Sequence, residues 1–294
     1  MKSMTFNTPT LVVIAGPTAV GKTKWAIEVA QQRESVILSA DSRQFYKEMK
    51  IGTAAPTEAE QTLVKHYFVG HLSIQDYYSV SKFENDVLQL LPSLFEKNPC
   101  VILCGGSGLY IDAVCYGIDP LPDPEPSIRK YVNDCFHNEG IEALRSQLKK
   151  LDPRYYDRCN LADHKRMIRA IEVSLQMGKP YSDFLQNTRK KRDFNIVKYC
   201  LTRPREELFQ RINLRTEEMI KNGFLEECKQ LFPYRHLNAL NTVGYKELFD
   251  YIEGKTSLQQ AVTDIKTHTR RYAKRQMTWF KRDESYTMID ISHL

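Results

Sequence analysis

The chain lacks a paired cysteine motif. Its seven cysteines, Cys100, Cys104, Cys115, Cys135, Cys159, Cys200 and Cys228, are scattered, with no C-x-x-C spacing. That excludes a disulfide framework and a zinc site and suits a reducing compartment. Several lie in apolar stretches and read as small core residues. None of the histidines has metal-ligand spacing. Met1 to Thr10 has no signal-type apolar segment, and no hydrophobic run is long enough to span a bilayer. The expectation is a soluble, cytoplasmic protein with no membrane partner. Charge of one sign is in short excess: the formal net charge is only +6, too little to identify a partner from the total. There are no internal repeats and no low-complexity stretch. There is also no D-x-x-G segment, no N/T-K-x-D base reader and no ABC-type signature, which removes GTPase switches and ABC ATPases.

What is present begins with Gly16-Pro17-Thr18-Ala19-Val20-Gly21-Lys22-Thr23, a complete G-x-x-x-x-G-K-[ST] phosphate-binding loop. It follows the apolar run Leu11 to Ala15 and precedes a helical pattern at Trp25, Ala26, Val29 and Ala30, the context the motif requires. Successive N–H groups and the helix N-terminus face an anion there. Lys22 adds a point charge, and the Thr23 hydroxyl is the candidate ligand for a magnesium ion, Mg2+.

Further β-rich runs stand at Ser35 to Asp41, His66 to Leu72, Cys100 to Cys104 and Asn195 to Leu201, with a short terminal one at Tyr286 to Ile291. Helical patterns lie between or after them, at Val80 to Phe95, Pro204 to Leu231, Tyr245 to Ile252 and Leu258 to Lys281. Continuous apolar runs alternating with helices predict an α/β fold, a P-loop NTPase-like parallel sheet flanked by helices. Prolines 120, 122, 124 and 126 mark a boundary. Residues 127–193 read as a small all-helical insertion domain, and residues 1–126 with 194–294 as the catalytic core and its helical C-terminal part. A chain of 294 residues can bury such a core without staples.

Ligands of such sheets sit beyond the carboxyl ends of the strands. Asp41 and Ser107, each just after a strand, therefore converge on the crevice of the phosphate loop. A small-molecule or nucleotide kinase fits these features, with Asp41 orienting magnesium or the acceptor. Asp41 could equally be a turn carboxylate, and Ser107 a backbone-bonding hydroxyl in its glycine-rich turn. Arg211 and Arg215, four apart, describe an exposed ion-pair face as well as a diphosphate contact, and are not assigned to the site. Lys266, Arg270, Arg271, Lys274, Arg275, Lys281 and Arg282 occur with no acid among them. Arg271, Lys274, Thr278 and Lys281 share one stripe, with Tyr272, Trp279 and Phe280 on other faces. Such a stripe suits a nucleic-acid backbone, although a solvated amphipathic helix has the same pattern. The cluster Arg189 to Arg192 could belong to an RNA surface or a kinase lid.

The segment Asp41-Ser42-Arg43-Gln44-Phe45-Tyr46, continuing to Ile51-Gly52-Thr53-Ala54, resembles the hallmark of the tRNA dimethylallyltransferases (isopentenyl transferases). Further matches follow in order. They are the phosphate loop itself, Gly105 to Tyr110, Pro124 to Arg129, Arg166 to Glu172, Val243 to Glu247, and Lys274 to Trp279. The resemblance runs from about residue 11 to 282. It implies transfer of a dimethylallyl group from dimethylallyl diphosphate to N6 of the adenine 3′ of the anticodon. The loop would grip a pyrophosphate leaving group, with magnesium. Asp41 would take the N6 proton of an adenine flipped into the crevice.

The resemblance places Ser107 and Arg129 at the same centre; Arg129 could also be a solvated helix-start residue. It maps contacts with the tRNA anticodon stem-loop onto four segments. The first two are Asp41, Ser42, Arg43 and Gln44, then Lys165, Arg166, Met167, Ile168 and Arg169. The others are Asn241, Thr242, Val243, Gly244, Tyr245 and Lys246, then Lys274, Arg275, Gln276, Met277, Thr278, Trp279, Phe280 and Lys281. Asn241 stands where the family pattern has arginine, Ala55 where it has lysine, and Ser107 where it has threonine. Three alternatives stay open: prenylation of free adenylates, a kinase, and a non-enzymatic RNA-binding ATPase. A monomer is expected.

Overall fold

The structure, a computed structural model, describes residues 6–186 and 188–293; the expected core's ends at residues 1–5 and Leu294, and Asn187 of the insertion, lie outside the described residues. Among the described residues six strands are formed: β1 (Thr10–Ala15), β2 (Ile37–Ser39), β3 (His66–Tyr67), β4 (Cys100–Gly105), β5 (Asn195–Thr202) and β6 (Tyr286–Asp290). They make one all-parallel sheet in the order β3-β2-β4-β1-β5-β6. β1 and β4 are buried along their whole length, which is why they read as unbroken apolar runs: helices cover both faces and no position alternates to water. In register, Ala15 pairs with Gly105 and with Cys200, and Ser39 with Cys104. The carboxyl ends of β1, β2 and β4 thus finish within one residue of each other, and β5 runs two residues further.

The helices are α1 (Lys22–Gln32), α2 (Glu58–Leu63), α3 (Val80–Phe95), α4 (Gly108–Tyr116), α5 (Pro126–Glu139), α6 (Ile141–Leu151), α7 (Pro153–Tyr156), α8 (His164–Met177), α9 (Arg205–Lys221), α10 (Phe224–Leu231), α11 (Tyr245–Ile252) and α12 (Leu258–Phe280). Hydroxyl caps set three starts: Thr57 accepts from the Glu60 N–H, Ser79 from the Lys82 N–H, and Ser257 from the Gln260 N–H. The run Pro204 to Leu231 is two helices, because Gly223 (φ 95°) turns the chain between α9 and α10. The run His66 to Leu72 yields only a two-residue strand. Phe68 adopts φ 61°, which ends the ladder, and Leu72 instead bridges to Tyr46. Among the described residues no helix is long and apolar enough to cross a membrane.

The chain divides into two compact units, one reaching to Cys115 and resuming at Lys191, the other Tyr116–Lys190. The second is helical, with α5 to α8 around Val132, Leu144, Leu148, Met167, Ala170 and Ile171. Its limits differ from the expected 127 and 193 for a physical reason. The Lys190 N–H donates to the Tyr116 carbonyl at 2.7 Å, closing the unit above the prolines. Arg192 belongs to the core instead. Its guanidinium is buried against Glu84 (2.7 Å) and the carbonyls of Ala113 and Val114. That residue is a structural cation of the core.

In the first unit, a second apolar cluster packs Phe224, Tyr245, Leu248 and Ile265 of α10, α11 and α12 against Tyr46 and Met49. This fixes the C-terminal helices to the segment that leaves β2, and so to the position of Asp41.

Candidate active site and nucleic-acid groove

The phosphate loop joins β1 to α1. Gly16 (φ 149°) has no room for a side chain, since a Cβ would stand 2.8 Å from the Leu201 carbonyl oxygen. Gly21 (φ 113°) turns the chain into α1, whose first turn carries no acid to offset its dipole. Lys22 Nζ donates to the Pro17 carbonyl at 2.8 Å. Burial lowers the Lys22 pKa, and the neighbouring Cys104 and Asp41 act in the opposite sense.

Three arginines fasten the loop from outside. Arg203 and Arg211 each donate through Nε, at 2.8 Å, to the carbonyls of Val20 and Ala19, and Arg215 donates to the Thr18 hydroxyl. Arg211 and Arg215, left unassigned from sequence, line the same cavity as Lys22, Thr23 and Asp41. A four-residue spacing could not distinguish this face from an exposed one. The cavity measures about 920 Å3 and also takes in Ala55.

Asp41 enters this cavity from the end of β2. Its Oδ1 accepts from the Arg43 N–H at 3.0 Å, so it does serve its own turn. The ends of β2 and β4 interlock: the Ala40 N–H donates to the Cys104 carbonyl (2.8 Å), and the Ser107 N–H to the Ala40 carbonyl (3.2 Å). Ser107 Oγ accepts from the Ser42 N–H at 3.0 Å and lies 3.3 Å from the Ser42 hydroxyl. Ser107 is thus a backbone-bonding hydroxyl placed one residue from Asp41 across the interlock.

A second cavity, of about 750 Å3, gathers three of the four segments read as RNA-contacting. Ser42 and Arg43 meet Asn241, Thr242, Val243 and Lys246, with Arg271 and Arg275 of α12 on the rim. Arg43 is oriented by the carbonyls of Asn238 and Ala239, at 3.0 and 3.2 Å. Gly244 opens α11, with Glu247 accepting from its N–H at 2.7 Å and His268 bonded to the same carboxylate.

Within these segments only some side chains are outward. On α12, Arg271, Lys274, Arg275 and Thr278 are exposed, as is Lys281 just after it, and Met277 is half-buried. Gln276 and Phe280 are buried, and Trp279 donates to Asp112 at 2.9 Å. Tyr245 is fully buried, its hydroxyl donating to Glu227 at 2.7 Å. Gln44 is bonded to Ser39, Thr53 and Ala54. The sequence segments therefore mix groove residues with residues that hold the groove in shape.

In the helical unit, Lys165 and Arg166 are exposed on the first turn of α8, Met167 is buried and Ile168 half-buried. Arg169 donates to the Pro122 carbonyl. Arg129 forms a two-point pair with the buried carboxylate of Glu172, at 2.8 and 3.0 Å.

Residues 44–283 match the family model described as IPP transferase. The chain is 50% identical to a tRNA dimethylallyltransferase of Azobacteroides pseudotrichonymphae, over 93% of this chain and 89% of that one. It is also 50% identical to one of Parabacteroides distasonis, over 94% and 93%. Among solved structures, the tRNA isopentenylpyrophosphate transferase of Bacillus halodurans superposes with a TM-score of 0.70 at 32% identity, covering 96% and 90% of the two chains. A eukaryotic dimethylallyltransferase acting on tRNA superposes with a TM-score of 0.77 at 26% identity, covering 96% and 74%. The phosphate loop, the Asp41 turn and the groove beside it are thus those of a chain that belongs to the IPP transferase family.

Proposed function

We propose that this protein transfers a dimethylallyl group from dimethylallyl diphosphate to tRNA, at N6 of the adenine 3′ of the anticodon. One observation carries the reading. Asp41 lines the phosphate-loop cavity, while the next two residues, Ser42 and Arg43, line the groove with the basic rim. A flipped base held in the groove would reach the donor at Asp41. The loop N–H groups, Lys22, Arg211 and Arg215 bind the diphosphate and stabilise the charge it gains as the allylic C–O bond breaks. Asp41 receives the N6 proton as that nitrogen forms its bond to the allylic carbon. Ser107 holds the Ser42 amide beside it and keeps the Asp41 turn against β4.

The donor cavity fits magnesium bound together with the diphosphate: Thr23, the candidate ligand, offers a hydroxyl oxygen on it. Among the described residues no cluster of three His, Cys, Asp or Glu forms a cage. A bound Mg2+ would take its other ligands from diphosphate and water and neutralise the leaving group's charge.

Exposed Lys165 and Arg166 of the helical unit and the α12 stripe supply phosphate contacts to the anticodon stem-loop. The donor cavity and the groove are furnished by one chain, so the proposal needs no second copy; the proposed site of the reaction is the cytoplasm. The kinase alternative loses one of its supports, since Arg192 of the candidate lid cluster is a buried core cation. The reading is tested by titrating dimethylallyl diphosphate calorimetrically and assaying ATP turnover in parallel. Donor binding without productive ATP turnover is expected; ATP-dependent phosphorylation of a small acceptor would overturn it.

A further inference from the structure

Gln276 lies in the midst of the basic stretch assigned by sequence to tRNA, yet it is only 6% exposed. Both ends of its amide are used inside the protein. Oε1 accepts from the backbone N–H of Thr18 in the phosphate loop at 2.9 Å, and Nε2 donates to the carbonyl of Gly106, past the end of β4, at 2.9 Å. The three segments are separated in sequence and meet at this one side chain. The fit explains a glycine as well: a Cβ on Gly106 would stand 2.3 Å from the Gln276 amide nitrogen. The inward face of α12 is therefore fastened to the phosphate loop and to the turn facing Asp41, while its outward face carries Lys274 and Arg275.

Resting on the donor-binding role of the loop proposed above, we infer that Gln276 is a positioning residue for the diphosphate site and not an RNA contact. Thr18 follows Pro17, which has no N–H, so the Gln276 bond fixes the first amide of the loop after the proline. The adjoining residue, Ala19, is held at φ 65°, a conformation that is strained for a non-glycine residue and needs such external support. Losing the amide would leave the Thr18 N–H and the Gly106 carbonyl without their partner, and the loop would relax from the geometry in which its later N–H groups converge.

The test uses the full chain with Gln276→Leu and Gln276→Glu. Pyrophosphate and dimethylallyl diphosphate are titrated calorimetrically, and tRNA binding is followed by mobility shift. For Gln276→Leu, diphosphate affinity should fall about tenfold or more, the scale expected when two buried backbone groups lose their partner. KM for the donor should rise with it, while tRNA affinity and its salt slope stay at wild-type values. Gln276→Glu keeps the acceptor for Thr18 but, when ionised, has no donor for Gly106. Its diphosphate affinity should improve as pH falls and the carboxyl gains a proton, a recovery not seen for Gln276→Leu. Should Gln276→Leu fail to fold, the pH response of Gln276→Glu measured against that of the wild type decides the matter. Weakened tRNA binding with unchanged diphosphate affinity would overturn the inference and return Gln276 to the RNA surface, as would unchanged diphosphate affinity in both variants. A wild-type protein that binds no diphosphate would instead overturn the donor site itself.

Discussion

Replacing Gly105 with alanine tests whether the interlock of β2 and β4 sets the chemistry. An added Cβ would lie 2.2 Å from the carbonyl oxygen of Ala40 and 2.4 Å from its carbonyl carbon. Both are backbone atoms, so no side chain can swing aside. Ordinary contact requires the two strand ends to part by about 1 Å. Overpacking of this kind costs about 1–3 kcal/mol, which in a domain of this size lowers the melting temperature by roughly 3–10 °C. The functional effect should exceed the thermal one. The atom struck belongs to the residue before Asp41, and a misplacement of about 1 Å near reacting groups can cost about a hundredfold in rate. The assay is turnover at saturating donor and tRNA, at a temperature where a melting curve shows the variant folded. A folded variant with a rate within about threefold of wild type would refute the claim that this contact sets the position of Asp41.

Asp41→Ala should lower single-turnover rates by about a hundredfold or more at saturating tRNA while leaving donor affinity nearly unchanged; a near-normal rate would assign the proton to another group. Lys22→Ala should weaken pyrophosphate binding by removing a charge-assisted contact, read by calorimetry. Arg271→Ala with Lys274→Ala should weaken tRNA binding and reduce its salt slope by about one unit for each lost contact, with donor affinity unchanged. Burial pushes the thiols of Cys104 and Cys115 up to about 12. Native protein near pH 8 should therefore alkylate first at the half-buried Cys135 and Cys159, and early labelling of Cys104 by mass mapping would contradict the packing beside Lys22.

The parallel sheet was legible because strands buried on both faces leave unbroken apolar runs, and the phosphate loop because its spacing has a single geometric solution. The placement of Asp41 and Ser107 just past the ends of β2 and β4 was legible from the apolar runs that precede them, and Asp41 does line the phosphate-loop cavity. Other features were hidden for identifiable reasons. β3 is shorter than its apolar run because the left-handed Phe68 is not marked by a glycine. The helical unit begins at Tyr116, not at the prolines, because its boundary is a backbone hydrogen bond to Lys190 that leaves no trace in composition. Arg211 and Arg215 could not be assigned to the loop from one helix's periodicity, since their partners lie almost two hundred residues away. Resemblance marked residues 274–281 as one RNA-contacting run; a helix turns neighbours to opposite sides, and Gln276 and Phe280 face inward while Lys274 and Arg275 face solvent.

The most direct test of the central claim is to incubate the protein with dimethylallyl diphosphate, magnesium and tRNA, digest the RNA, and analyse the nucleosides by mass. A dimethylallyl group on N6 of adenosine, mapped to the position 3′ of the anticodon and formed about a hundredfold more slowly, or slower still, when Asp41→Ala replaces the wild type, is the expected result. Unmodified tRNA from an enzyme that binds the donor, or a prenyl group found only on free adenylates, would contradict it.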